Sequence, residues 1–279
     1  MKSVFLAFLL FAYVLVFPKD IVATLNPYYL ITKEIVQDKL NVILLIKSAA
    51  DPHDYSPTVN DIKILSNASL ILANGLELDN SYLKNHKRVI YLGEQIPATE
   101  LFEGKASEGK YNPHIWLSLD FLIKYIVPTI TKSVSKLDSA NKEFYENNAQ
   151  RLISSLKNVS RKFDSLLKDC DGTIVVVDHP TFVYLFKRYG IMTLSIEEGH
   201  GKQPSIKYIK DIIETAKKNR LLGVFVDPQF DTSTISMIIK ELNIKPKRLD
   251  SLGFSTKAKS ITEFFENIYL VLKEAIQRK

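Results

Sequence analysis

The sequence predicts an α/β protein with two parallel-sheet lobes, one long helix joining them, and a metal site with ligands from both. Three observations carry that reading. Short β-branched runs alternate with amphipathic helical stretches in both halves of the chain. A helical pattern free of proline and glycine, from Ser139 to Lys168, separates those halves. Three of the five histidines sit just beyond strand-like or turn-like segments, as Asp51-Pro52-His53-Asp54-Tyr55, Asn112-Pro113-His114-Ile115-Trp116 and Asp178-His179-Pro180.

Along the first half, Asp20-Ile21-Val22-Ala23-Thr24 and Asn41-Val42-Ile43-Leu44-Leu45-Ile46 flank a stretch from Tyr28 to Lys39 with apolar residues near period 3.6, which is a βαβ unit. Thr58-Val59-Asn60-Asp61 opens a second helix. Ser69-Leu70-Ile71-Leu72-Ala73 and Arg88-Val89-Ile90-Tyr91-Leu92 are further strands. Strands alternating with helices imply a parallel sheet covered on both faces. Glu103 to Tyr111 is a short polar loop, and a helix begins near Ser118.

The stretch from Ser139 to Lys168 carries Phe144, Tyr145, Ala149, Leu152, Leu156, Val159, Phe163 and Leu166 at helical spacing. At 1.5 Å per residue it extends roughly 45 Å, long enough to run from one lobe to the other. Behind it, Thr173-Ile174-Val175-Val176-Val177 and Gly223-Val224-Phe225-Val226 restart the alternation. The expected organisation is an export signal at 1–18, a first lobe at 19–138, the connecting helix at 139–169 and a second lobe at 170–279. No internal sequence repeat accompanies the two lobes.

Composition narrows the function classes. The 279 residues are 46% hydrophobic, enough to bury two ordinary cores or one large one. The formal charge is +6, but the basic residues are scattered, with no block interleaved with aromatics, so nucleic acid is not an expected partner. Lys2 followed by the apolar run from Val4 to Phe17 is too short for a comfortable span of about 20 residues and suits a signal-peptide core. No Ala-x-Ala precedes Pro18 or Asp20, which makes an uncleaved anchor the alternative. No cysteine follows the run, so the expected product is an exported, soluble, periplasmic protein without a lipid-bearing cysteine. Cys170 is the only cysteine, which rules out an internal disulfide, and it reads as a buried small residue at a helix end.

Ligands of open parallel sheets collect at the carboxyl ends of strands. His53 follows one such strand and His179 another, while His114 lies on a loop. None of the three lies at zinc-finger or His-Glu-x-x-His spacing, so a shared site assembles only on folding, with ligands from both lobes. Neutral imidazole is a good donor for zinc and its divalent neighbours, and one carboxylate would complete a tetrahedral shell.

The segments Asp51-Pro52-His53-Asp54-Tyr55-Ser56-Pro57-Thr58, Ala73-Asn74-Gly75-Leu76-Glu77-Leu78 and Asn112-Pro113-His114-Ile115-Trp116-Leu117 resemble the zinc/manganese solute-binding proteins of bacterial ABC transporters. So do Phe225-Val226-Asp227-Pro228-Gln229-Phe230 and Leu249-Asp250-Ser251-Leu252-Gly253, so the resemblance covers essentially the whole mature chain. It implies two α/β lobes joined by a long rigid helix with the metal site in the interlobe cleft, and a monomeric, non-enzymatic carrier that captures a metal and delivers it to a membrane permease. It also implies His53, His114, His179 and Asp250 as the metal ligands. A histidine at the third position leans towards Zn2+ as cargo, with Mn2+ or iron as the alternative, because three nitrogens and one carboxylate suit zinc. The chain departs from the family in three places: no histidine lies in Glu103 to Tyr111, Asp227 stands where glutamate is expected, and Ser118-Leu119 replaces Asp-Pro.

Other residues weigh less. His86 reads as solvated, and Trp116 as core rather than site lining. His200, in Glu197-Glu198-Gly199-His200-Gly201-Lys202, is a candidate transient ligand or gate, and Phe230 a candidate apolar cover for the metal. Two readings from other classes are a zinc hydrolase with Glu197 or Glu198 as base, and a metal-stabilised adhesin or scaffold.

Overall fold

In the computed structural model, the residues described are 19–47, 51–104, 109–197, 204–229 and 235–277. The expected signal peptide, Glu198, His200 and Phe230 lie outside them. Among the described residues, no helix is long and apolar enough to cross a membrane.

The first lobe runs β1 (Ile21–Ala23), α1 (Asn26–Val36), β2 (Val42–Leu44), α2 (Val59–Asn67), β3 (Leu70–Ala73), α3 (Asn80–Leu83) and β4 (Val89–Tyr91). Two short helices, α4 (Leu119–Phe121) and α5 (Val127–Leu137), are joined by one π turn, Leu122–Ile126, and lead to the long α6 (Lys142–Leu167). The second lobe runs β5 (Ile174–Val177), α7 (Val183–Lys187), β6 (Met192–Ser195), α8 (Ile206–Lys218), β7 (Leu221–Val226), α9 (Ile235–Leu242), β8 (Lys247–Arg248) and α10 (Ile261–Gln277). Both sheets are wholly parallel, with orders β2-β1-β3-β4 and β6-β5-β7-β8. The two orders are the same although no sequence repeat was found.

Local chemistry explains the element ends. The Thr58 side chain accepts from the Asp61 backbone N–H while the Asp61 carboxylate accepts from Thr58, a capping box that starts α2 where the sequence places it. Pro27 sits in the first turn of α1, where a missing N–H costs nothing. Two strands are not evident in the sequence. β6 is an edge strand whose Met192 is exposed, and β8 is a pair of basic residues held by β7.

The period-2 alternation of the strands sorts the apolar residues into layers. Ile21, Ala23 and Leu72 from the first sheet and Val175, Val177 and Phe225 from the second all enter one central core. Val22, Ile71 and Ala73 face a smaller core under Leu65 and Leu83. Ile174, Val176, Val224 and Val226 face another under α8 and α9. Helix α6 supplies Tyr145, Ala149, Leu152, Leu156, Val159 and Phe163 to the central core at steps of three and four, and packs on α1, α5 and α10. The two lobes therefore share one hydrophobic interior.

Candidate metal centre

Each histidine is set by an Asx residue just before it. The Asp51 carboxylate accepts from the His53 backbone N–H at 2.9 Å, and Pro52 opens the single 3-10 turn Pro52–Asp54 that carries the ring. Asn112 Oδ1 accepts from the His114 backbone N–H at 3.0 Å. The Asp178 carboxylate accepts from the His179 N–H and, with its other oxygen, from the Asp227 N–H, both at 2.8 Å, which ties the end of β5 to the end of β7. Asx side chains that bond nearby backbone in this way favour tight turns over continued strand.

These turns bring the three rings together at the boundary between the lobes. The ring centroids are 5.3 Å (His53 to His114), 5.3 Å (His53 to His179) and 5.0 Å (His114 to His179) apart. The Nε2 of His114 lies 3.3 Å from the Nε2 of His53 and 3.3 Å from that of His179. His114 and His179 are 2% and 1% exposed, while His53 is half-buried. Among the described residues, this is the one group of three or more His, Cys, Asp or Glu whose donor atoms all lie within 4.8 Å of one another.

The outer nitrogens decide what the inner ones can do. Asn112 Nδ2 donates to the Pro180 carbonyl, which fixes the amide with its oxygen towards His114 Nδ1, 2.9 Å away. Glu197, at the end of β6, contacts His179 Nδ1 through its carboxylate. Both contacts are accepted by oxygen and so call for the proton on Nδ1; in the neutral ring that leaves the Nε2 atoms of His114 and His179 facing each other with their lone pairs. Buried lone pairs aimed at one another repel, and a divalent cation between them turns the repulsion into coordination. A ligating histidine whose other nitrogen is held by a carboxylate or amide is the usual support of a metal site.

Asp250 lies outside that group of three. It is buried after β8, and its carboxylate accepts from Leu252 N at 3.1 Å, Gly253 N at 2.7 Å, Ser255 N at 2.6 Å, Ser255 Oγ at 2.6 Å and Thr256 N at 3.2 Å. The turn it organises is nevertheless docked on the first lobe. Trp116 Nε1 donates to the Ser251 carbonyl at 2.8 Å, Asn26 Nδ2 donates to the Leu252 carbonyl at 2.7 Å, and the Trp116 ring lies 5.2 Å from the His114 ring. Trp116 is thus core, at 1% exposed, and also packs directly against a site histidine. Cys170 is buried just past the end of α6, as expected. His86 is partly exposed and outside the group.

Two contacts in this constellation are not expected from the sequence: Glu197, there only a candidate hydrolase base, as the partner of His179, and Asn112 as the partner of His114. The only signal for Asn112 was its position two residues before a histidine. The pairing of Glu197 with His179 had no signal, because β6, which positions it, is not legible as a strand.

Buried carboxylates surround the site on the second lobe. Burial pushes Asp178 up to about 6 despite backbone hydrogen bonds that oppose the shift. Burial, opposed in part by a hydrogen bond from Ser251 and reinforced by Asp178 and Asp250, pushes Asp227 up to about 8. In the first lobe, burial raises Asp79 to about 6 although it accepts from Asn74 N at 2.6 Å, Gly75 N at 2.8 Å and Thr24 Oγ1 at 3.0 Å.

Comparison with known proteins agrees with this geometry. Residues 21–275 match the family model described as ZnuA, zinc-uptake complex component A, periplasmic. The chain is 34% identical over 277 residues to a protein of Thermotoga maritima described as metal-binding, covering 99% of this chain and 100% of that protein. It is 28% identical over 241 residues to the manganese ABC transporter substrate-binding lipoprotein PsaA of Streptococcus mitis, covering 80% of this chain and 77% of the relative. The crystal structure of a ZnuA superposes with a TM-score of 0.81 at 26% identity, covering 93% of this chain and 98% of that one.

Proposed function

We infer that this chain, which belongs to the ZnuA family of periplasmic zinc-uptake components, captures one zinc ion between its lobes and delivers it to an ABC-transporter permease. The family comprises metal-binding components of ABC transporters and not enzymes, with zinc and manganese members. The observation that carries the reading is the convergence of three Nε2 atoms, with Asn112 and Glu197 contacting the outer nitrogens of His114 and His179.

In this reading His53, His114 and His179 are ligands and Asp250 is the fourth. Three nitrogens with one carboxylate suit zinc better than manganese, which favours more oxygen. The docking of the Asp250 turn beside Trp116 supports its part, and coordination through Asp250 Oδ2 would require one of its present donors to yield. The proposed division into 19–138, 139–169 and 170–279 follows the same reading, with the ligands drawn from both sides of the long helix. Extracytoplasmic location and a monomeric state are also part of the proposal. The expectation of a chain without a lipid anchor finds no support among relatives named lipoproteins.

The test is a competitive titration of metal-free protein with zinc and manganese against chelators of known affinity, for the natural chain and for H53A, H114A, H179A, D250A and H86A. One tight zinc equivalent with weaker manganese is expected, together with a large loss for each ligand variant and none for H86A. Zinc binding also weakens between pH 7.5 and 5, because protons compete for imidazole nitrogen, whose ordinary pKa is near 6.5. Equal losses for H86A and H114A would remove the ligand assignment, and tighter manganese than zinc would overturn the metal.

A further inference from the structure

We propose that Asn112 positions two metal ligands at once, one on each lobe, and so sets the spacing between the His114 and His179 nitrogens. The inference rests on the zinc-site reading above. Asn112 is 3% exposed, and each polar atom of the residue is engaged. Its N–H donates to the Phe102 carbonyl at 2.9 Å. Its carbonyl accepts from the Tyr184 hydroxyl of α7 at 2.8 Å. Its Oδ1 takes both the backbone N–H and the Nδ1 of His114, at 3.0 and 2.9 Å, and its Nδ2 donates at 3.2 Å to the carbonyl of Pro180, the residue after His179.

The side-chain amide is planar, so its oxygen and nitrogen cannot move independently. Displacing the His114 ring relative to the Pro180 peptide breaks a hydrogen bond on one side or the other and leaves a buried polar atom without its partner. The amide therefore acts as a rigid strut between the two ligand turns, alongside the Tyr184 hydroxyl, which holds the same residue to the second lobe. Glu197 locates the His179 ring from its own lobe, while Asn112 holds the carbonyl of the next residue, Pro180, from the opposite lobe. Only an amide does both jobs, since a carboxylate can accept from His114 but has no donor for the Pro180 carbonyl.

The experiment measures zinc affinity by chelator competition, and the melting temperature of the metal-free protein, for the natural chain, N112A, H114A, H179A, N112A/H114A, N112D/H114A and N112A/H179A. N112A should weaken zinc by about ten- to a hundredfold, the range seen when the outer partner of a ligand is lost. In the H114A background, where the His114 arm is already gone, N112A and N112D should each still weaken zinc by about threefold or more. In the H179A background the cost of N112A should be smaller than in the natural chain. If neither Asn112 change alters the affinity of H114A, Asn112 acts through His114 alone and the two-lobe proposal is overturned. A lowered melting temperature with zinc affinity unchanged overturns it equally. Failure of the zinc reading looks different: the natural chain would lack tight zinc, or H114A would bind as well as the natural chain.

Discussion

The indole N–H of Trp116 donates to the carbonyl of Ser251 across the lobe boundary at 2.8 Å, one residue from Asp250. The same ring leans on His114, so the sole tryptophan of the chain contacts one proposed ligand and holds the turn that carries another. Trp116→Phe leaves the buried Ser251 carbonyl without its donor, a loss of about 1–3 kcal/mol. Denaturant unfolding of the metal-free variant should show that loss, and zinc should bind more weakly. Zinc should also change the intrinsic fluorescence of the natural protein; an unchanged spectrum on saturation would separate Trp116 from the site.

Glu197 offers a sharper electrostatic test. Its carboxylate rests on His179 Nδ1 and raises the donor strength of the opposite nitrogen. Glu197→Gln preserves the shape and an acceptor oxygen but removes the charge. Zinc affinity should fall by about tenfold or more with little change in the melting temperature of the metal-free protein. Unaltered affinity would mean that the contact only packs the loop.

Asp227 should leave a pH signature on stability. Burial raises its folded pKa to about 8, above the ordinary value of 3.8, so the protonated form is favoured in the folded metal-free protein. A carboxyl shifted upward contributes stability that is present below the unfolded pKa and lost as pH rises through the folded one. Its contribution should therefore decline between about pH 4 and pH 8. Asp227→Asn removes this dependence, so the stability difference between variant and natural chain should shift in favour of the variant from pH 5 to pH 8. Parallel curves would show that Asp227 ionises as freely as in the unfolded chain.

The shared interior predicts cooperative unfolding. Phe163 of α6 is fully buried in the central core, edge-on to Phe265 at 6.4 Å and to Tyr269 at 5.7 Å, both on α10. Phe163→Ala should cost about 3–5 kcal/mol. Because the inner faces of both sheets enter that core, calorimetry should show one transition moving to lower temperature. Two separating transitions would show that the lobes fold independently.

Much of this was legible in the chain. Fully apolar runs such as Ile174 to Val177 have one outcome when helices cover both faces, and Thr58 with Asp61 marks the start of α2 by its own hydrogen bonds. The Asx residues before His53, His114 and His179 form their turns from local bonding, so the ligand contexts were visible without a partner. Edge strands were not visible. Met192 to Ser195 and Lys247-Arg248 become strands only because β5 and β7 offer them unpaired backbone, a non-local fact that leaves no period in the sequence.

The sequence by itself determined which imidazoles sit in ligand-like turn contexts, and that two α/β halves flank one long helix. Tertiary structure decided the rest: that the three Nε2 atoms converge, that Glu197 and Asn112 hold the outer nitrogens, and that the Asp250 carboxylate is engaged by the backbone of its own turn. The reason is physical. A turn or a strand is fixed by residues a few positions apart, whereas a coordination centre is fixed by distances between loops that only the packing of both sheets against one core can set.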